Sequence, residues 1–161
     1  FNKKIKIFNY AASNVIGQKT FYINKHDLTS SLNKLNPKNK YLNIKSKIFK
    51  TTLNGMIEKK IKVKTVKLSN FFLKMKIQNI DFIKIDTEGH ELEVLLGLGK
   101  KIKNIKSFLI EFHNGKTYLN YNSKKIEKIL RNNNFILKGK IKFPFTTWED
   151  RLYLNKDFNH I

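Results

Sequence analysis

Hydrophobic and polar positions along this chain follow two periods, and each period predicts one kind of secondary structure. Apolar and polar residues alternate over residues 4–10 and 61–65, which predicts strands there, and a further strand is predicted at 20–23. Short runs of β-branched and aromatic residues at 80–86 and 107–113 predict strands in the core. The front two thirds of the chain therefore contains at least five predicted strands.

Helical spacing of apolar residues predicts three helices between or after these strands. Ser69 is a candidate N-cap for a short helix, and Ser123 is a candidate N-cap for a later one. Leucines with helical spacing predict a further helix over about 88–97. Gly97 and Gly99 are expected to end that helix, because glycine commonly follows the last helical residue.

The order of these elements predicts the fold class. Strands alternate with helices through the middle of the chain, and two closing strands are predicted near residues 135–142 and 151–155. This order is typical of an α/β fold with a largely parallel sheet. Residues 33–60 are rich in lysine and asparagine and are expected to form a loose loop or insertion, with one weak strand near 48–49. The length predicts a single domain over residues 1–161.

Composition excludes several classes of site and protein. The chain has no cysteine, which excludes disulfides, thiolate zinc sites and cysteine nucleophiles. No apolar run approaches the length of about 18 residues that a membrane-spanning helix needs. We therefore expect a cytoplasmic protein without a membrane span.

The formal net charge of +21 makes nucleic-acid binding one hypothesis. Only Arg131 and Arg151 among the 33 basic residues are arginines, the residue type favoured for bidentate recognition of phosphates and bases. The lysines are spread over the whole chain instead of being clustered in one arm or helix. We therefore interpret the charge as a solvated surface and expect no specific nucleic-acid partner. A basic nucleic-acid-associated protein remains the alternative hypothesis.

Ionisable side chains are concentrated in the octapeptide KIDTEGHE, residues 84–91, where a predicted core strand changes into a helix. If the strands at 80–86 and 107–113 are parallel neighbours, their carboxyl ends lie side by side, about 5 Å apart. Two groups of side chains would then meet at one edge of the sheet: Asp86, Glu88 and His90 from the first strand, and Glu111 and His113 from the second. Such a set can bind a metal, act as general bases or hold a cationic ligand.

The same residues also have a purely structural interpretation. Asp86 and Thr87 can be helix caps, and Glu88 and Glu91 suit the positive end of the helix dipole. Each histidine can be an ordinary surface or hydrogen-bonded residue. The chain has no glycine-rich phosphate loop, and no histidine spacing matches a standard zinc signature, so the sequence predicts no metal site.

Residues 80–97, IDFIKIDTEGHELEVLLG, resemble the signature of the FkbM family of S-adenosylmethionine-dependent methyltransferases. That signature is a hydrophobic strand followed by lysine, an apolar residue, Asp, any residue, Glu-Gly and a further Glu. Residues 66–71 are similar to the family's T-L-D-D helix start, although serine and asparagine replace the commoner acids. Residues 109–113 match the family's next core strand, and residues 10–17 resemble its A-L-S-x-x-x-G stretch. The resemblance covers nearly the whole chain apart from 33–60.

The resemblance implies a Rossmann-like sheet of seven strands with the last one antiparallel. It also implies that the cofactor S-adenosylmethionine meets a small-molecule or carbohydrate acceptor over the carboxyl ends of the strands. Ala11 and Ala12 would lie near the adenine, and Asp86 near the methyl donor. The implied catalytic residues would face the donor or would hold or deprotonate an acceptor hydroxyl: Asp86, Glu88, His90, Glu111 and His113.

One departure from the family pattern concerns the amino-terminal side. The family begins with a strand and a glycine-rich turn for the cofactor's methionine end, and then a strand with an acid for the ribose; neither is found here. The sequence starts at about the family's third strand, so we expect the strand at 80–86 to have an unpaired edge. We further expect the chain to be a carboxy-terminal part that is inactive alone. A noncatalytic remnant of the methyltransferase fold is a third hypothesis.

Overall fold

A computed structural model of the chain describes residues 5–25, 30–48, 50–113, 117–142, 144 and 146–158. The strands in this part of the chain are β1 (Ala11–Ala12), β2 (Gly17–Asn24), β3 (Ile57–Val66), β4 (Ile80–Ile85), β5 (Ile105–His113), β6 (Phe135–Lys142) and β7 (Trp148–Asn155). The helices are α1 (Lys40–Ile48), α2 (Leu68–Lys74), α3 (Glu91–Leu98) and α4 (Ser123–Asn132), with a 3₁₀ helix at Gly99–Asn104. None of the described helices is long and apolar enough to cross a membrane.

The strands form two mixed sheets. In the three-stranded sheet, with order β1-β3-β2, β1 is parallel and β2 antiparallel to the central β3. In the four-stranded sheet, with order β4-β5-β7-β6, β4 and β5 are parallel neighbours, as the sequence predicted. Among the described residues β4 lies at the edge of its sheet and pairs on one side only.

The α/β class is confirmed, but the prediction of a mostly parallel sheet is wrong for the described residues. Only β1 with β3 and β4 with β5 are parallel, whereas the other three pairings are antiparallel. The short connection from β6 to β7 favours an antiparallel pair, because parallel neighbours need a long crossover. The closing strand β7 is antiparallel to β5, as predicted.

Alternation along β5 separates an apolar face from a polar one. Phe108, Ile110 and Phe112 are fully buried and belong to the main hydrophobic cluster, which also contains side chains of α2, α3 and α4. Glu111 and His113 occupy the intervening positions and therefore point to the opposite face. One strand thus anchors the core and presents two ionisable side chains at its carboxyl end.

Three helix ends lie at residues other than those that the sequence predicted. Lys67 is the N-cap of α2, so Ser69 lies inside that helix. The Asn122 side chain accepts a hydrogen bond from a backbone N–H of α4, which makes Ser123 the first helical residue. Asparagine and serine cap helices about equally well, so residue type alone does not favour Ser123 over Asn122. Gly97 lies inside α3, and the helix ends at Gly99, which has a φ of 51°.

Two predicted strands are wrong. Residues 5–10 are not in a strand, and residue 4 lies outside the described residues. Ile5 and Ile7 are 84% and 92% exposed, so their alternation does not mark a buried face. The weak strand expected near 48–49 is also wrong, because Ile48 is the last residue of α1, while residue 49 lies outside the described residues. Asn39 begins α1 by accepting a hydrogen bond from the backbone N–H of Leu42 at 3.0 Å.

Candidate active site

The loop between β4 and α3, residues 86–90, has a backbone that depends on glycine. Glu88 and Gly89 both have positive φ, 52° and 90°. A Cβ on Gly89 would lie 2.4 Å from ring atoms of Tyr118, closer than any ordinary contact. The Tyr118 hydroxyl donates a hydrogen bond of 2.6 Å to Glu88 Oε2. The glycine therefore lets the tyrosine pack on the loop and hold the neighbouring carboxylate.

Glu91, the first residue of α3, fastens this loop. Its Oε1 accepts hydrogen bonds from Thr87 N and Thr87 Oγ1, both at 3.1 Å, and from Gly89 N at 3.0 Å. The side chain is completely buried, and this burial raises the pKa of Glu91 to about 7. The sequence interpretation as a charge at the helix dipole missed this role, in which the side chain accepts hydrogen bonds from the loop that precedes the helix.

A cleft of about 630 Å³ lies beside the carboxyl end of β4. All three residues that were expected to contact the cofactor line it, namely Ala11, Ala12 and Asp86. Asp86 Oδ2 forms an ion pair of 2.8 Å with Lys84 Nζ on the same face of the strand. The remaining lining residues combine two aromatic rings with small, polar and ionisable side chains: Tyr10, Phe21, Ser30, Leu32, Lys84, Thr87, Glu88 and His90.

His90 is buried and is held at both ring nitrogens. Nε2 lies 3.0 Å from Ser13 Oγ, and Nδ1 lies 2.9 Å from Asn33 Oδ1. The Asn33 amide group donates to the carbonyl of Gly89, so its oxygen accepts from Nδ1–H and the Ser13 hydroxyl donates to Nε2. Burial, with a contribution from the charge of Lys19, lowers the pKa of His90 to about 4. A neutral His90 therefore connects the segment after β1, the segment before α1 and the start of α3.

Glu88, Glu111 and His113 form a second cluster, in which one ligand atom from each lies within 4.8 Å of the others. Glu111 Oε2 and His113 Nε2 are 3.3 Å apart, without the alignment of a hydrogen bond. The prediction that β4 and β5 bring their ionisable ends together is thus confirmed for Glu88. His90 is not part of this cluster, because its ring contacts Ser13 and Asn33 instead.

Glu111 and His113, the two members of this cluster on β5, have pKa values shifted in opposite directions. Burial, together with the charges of Glu88 and Asp86, raises the pKa of Glu111 to about 8. Burial lowers the pKa of His113 to about 4. Near neutral pH the folded chain therefore favours an uncharged Glu111 and an uncharged His113. Tyr121 helps to fix the position of His113, since the two rings meet edge-on with centroids 5.2 Å apart.

Comparison with known families identifies the chain. The methyltransferase FkbM domain model matches residues 1–137. The chain belongs to the FkbM methyltransferase family. Searches of curated proteins and of solved structures found no match. Family membership confirms the resemblance that KIDTEGHE carries and supports methyltransferase activity in general terms. Methyltransferases of this family generally use S-adenosylmethionine as the cofactor.

Four residues that contact the FkbM signature loop were not predicted to do so from the sequence. The Ser31 hydroxyl donates to the Glu88 carbonyl at 2.6 Å, and Asn33 donates to the next carbonyl in the loop. Ser13 and Tyr118 contact the loop from other parts of the chain. Serine, asparagine and tyrosine are common in ordinary loops, so only the long-range contacts distinguish these four. They form the support on which the signature carboxylates are placed.

Proposed function

We propose that this chain contributes the acceptor side and part of the cofactor side of an S-adenosylmethionine-dependent O-methyltransferase. The acceptor is a hydroxyl group of a small molecule or a sugar. The observation that carries the proposal is the cleft that Ala11 and Ala12 line together with the signature carboxylates Asp86 and Glu88. Family membership supports methyl transfer, and the cleft provides a place for it.

The residues of the cleft fit the chemistry of S-adenosylmethionine. Tyr10 and Phe21 offer aromatic surface for a purine base, and Ala11 and Ala12 leave room beside them. Asp86 offers a carboxylate to a ligand that carries positive charge. The volume of about 630 Å³ lies within the range of small-molecule and cofactor sites. Bound there, S-adenosylmethionine supplies an activated methyl group.

The ionisable residues then divide into two roles. Methyl transfer to a hydroxyl forms one C–O bond as one C–S bond breaks, and the hydroxyl proton must pass to a base. Among Glu88, Glu111 and His113, only Glu88 lines the cleft, and we assign it as the base that accepts the proton. Glu111 and His113 are its buried neighbours in the cluster. We assign His90 a positioning role because both its ring nitrogens are engaged.

The test measures binding of labelled S-adenosylmethionine and methyl transfer to a panel of sugars and small alcohols by the full-length protein. Glu88→Ala is expected to lower turnover by at least about 100-fold with the fold intact, the scale of a lost catalytic base. Asp86→Ala is expected to lower turnover strongly as well, because it removes the carboxylate that faces the cofactor. Asp81→Ala is the matched control, since Asp81 lies on β4 but its side chain is 86% exposed and pairs with Lys106 away from the cleft.

Two outcomes would overturn the proposal. Wild-type turnover in both cleft variants would show that Asp86 and Glu88 serve only the local structure of the loop. Failure of the wild-type protein to bind S-adenosylmethionine would favour the noncatalytic remnant of the fold.

A further inference from the structure

Two buried polar atoms face each other at the end of β5 without forming a hydrogen bond. The side chains of His113 and Glu111 are 4% and 7% exposed, and His113 Nε2 lies 3.3 Å from Glu111 Oε2. Neither atom has a hydrogen-bond partner among the described residues. Buried polar atoms in proteins are rarely left without a partner, so such a pair points to a missing group.

The geometry of the pair resembles two ligands of one cation. Metal ions of the first transition row bind imidazole nitrogen and carboxylate oxygen at about 2.0–2.2 Å, which places neighbouring ligand atoms about 3.0–3.5 Å apart. The separation of 3.3 Å between Glu111 Oε2 and His113 Nε2 lies in this range. A carboxylate oxygen of Glu88 lies within 4.8 Å of both, so a shift of about 1 Å completes a three-ligand set.

We propose that Glu88, Glu111 and His113 bind one divalent transition-metal cation, with Zn²⁺ as the reference ion. Once binding of the ion has displaced the proton of Glu111, two carboxylates and a neutral imidazole balance its charge. The imidazole favours zinc and its neighbours in the first row over Mg²⁺ and Ca²⁺, which prefer oxygen ligands alone.

The surroundings hold the three ligands in place. Tyr118 donates to Glu88 Oε2, and its ring meets the His113 ring edge-on with centroids 5.0 Å apart. Residues that fix metal ligands in this way usually affect metal affinity as well. Three protein ligands leave at least one coordination position open, which is typical of catalytic metal sites.

The position of the site gives the cation access to the cleft, because Glu88 belongs to both. A cation there would polarise an acceptor hydroxyl and favour loss of its proton. That use rests on the proposed methyltransferase function. Binding of the cation does not, and it is tested without cofactor or acceptor.

The competing explanation is a metal-free polar cluster in which a protonated Glu111 is accommodated beside His113. The two explanations differ in the effect of adding metal. Titration calorimetry of the full-length protein, first stripped with a chelator, would measure binding of ZnCl₂, MnCl₂ and MgCl₂. Cobalt(II) absorption would report the ligand set.

We expect one Zn²⁺ to bind per chain, more tightly than Mn²⁺ and much more tightly than Mg²⁺. Glu111→Gln and His113→Gln are each expected to weaken zinc binding by at least about 100-fold, since even supporting partners are worth roughly 10–100-fold. Glu88→Gln should do the same, and because Glu88 is only half-buried this variant is the least disturbing to the fold. Circular dichroism would establish that each variant is folded.

Asp150→Asn is the matched control. Asp150 lies directly opposite Glu111 on β7 but is not one of the three ligands. Its replacement by asparagine removes one carboxyl group, as Glu111→Gln does. We expect the zinc affinity of this variant to stay within about fivefold of wild type, the scale of the interaction between partly exposed, solvent-screened charges. Equal zinc binding by wild type and the folded Glu88→Gln variant would overturn the proposal, as would Mg²⁺ binding as tight as that of Zn²⁺.

Discussion

Gly97 lies where α3 passes the end of β1, and its replacement by alanine tests how closely the two elements must approach. A Cβ at this position would lie 2.2 Å from the carbonyl oxygen of Ser13. Ser13 is completely buried, and its hydroxyl pairs with His90. The backbone after β1 would therefore have to retreat by about 1 Å, since Cβ contacts under 3.0 Å are essentially never seen.

Two effects of opposite sign compete in Gly97→Ala. Alanine is favoured over glycine inside a helix by about 1 kcal/mol. Overpacking against a fixed backbone costs about 1–3 kcal/mol. If Ser13 moves away from His90, the loss of a buried hydrogen bond adds about 1–3 kcal/mol. With all three contributions, we expect the free energy of unfolding to fall by about 1–5 kcal/mol.

The assay is urea denaturation followed by circular dichroism and by the fluorescence of Trp148, the one tryptophan of the chain. Gly139→Ala is the matched control, because a Cβ on Gly139 meets nothing within 4 Å and its φ is ordinary. That variant should be unchanged or stabilised by up to about 1 kcal/mol. A Gly97→Ala protein as stable as wild type would refute the reasoning, because helix propensity would then outweigh the contact with Ser13.

Two further predictions concern side chains around the signature loop. Burial raises the pKa of Glu91 from 4.5 to about 7, so the folded state binds the proton more tightly and stability falls as pH rises from about 4.5 to 7. The free energy of unfolding of Glu91→Gln, relative to that of wild type, should therefore rise by about 2–3 kcal/mol from pH 5 to pH 8 in buffer with a chelator. If urea denaturation gives the same stability difference between the two proteins at both pH values, this prediction is contradicted. Tyr118→Phe keeps the ring contact with His113 but loses the hydrogen bond to Glu88. It should lose about 1–2 kcal/mol in the same assay, and an unaltered midpoint would show that the hydroxyl contributes nothing.

Where local sequence determines structure, the predictions were accurate. The core strands β4 and β5 are marked by β-branched and aromatic runs, and they pair in parallel as expected. Amphipathic spacing likewise placed α4, in which Ile126 and Leu130 are buried. In these segments the hydrophobic pattern and the final packing agree, so the pattern alone was sufficient.

Where tertiary contacts decide, the same rules failed. Residues 5–10 alternate as a strand would, yet Ile5 and Ile7 remain exposed and a short parallel pairing begins only at Ala11. Gly97 was interpreted as a helix terminator, whereas it stays helical and admits the backbone of Ser13. A glycine needed for close approach and a glycine needed for a turn are identical in sequence. Only the contact partner, 84 positions away by residue number, distinguishes them.

The octapeptide KIDTEGHE combines two separate tasks in neighbouring residues. Asp86, Glu88 and His90 all line the cleft, but both ring nitrogens of His90 and one carboxylate oxygen of Glu91 are engaged in holding the loop and its supports. Counting acids and histidines therefore overestimates the number of groups available for chemistry. The division has a measurable consequence, because substitution of Glu91 should change stability and its pH dependence, and substitution of Glu88 should change turnover and metal affinity. A variant of either residue that altered both sets of properties equally would show that the loop and the cleft cannot be separated.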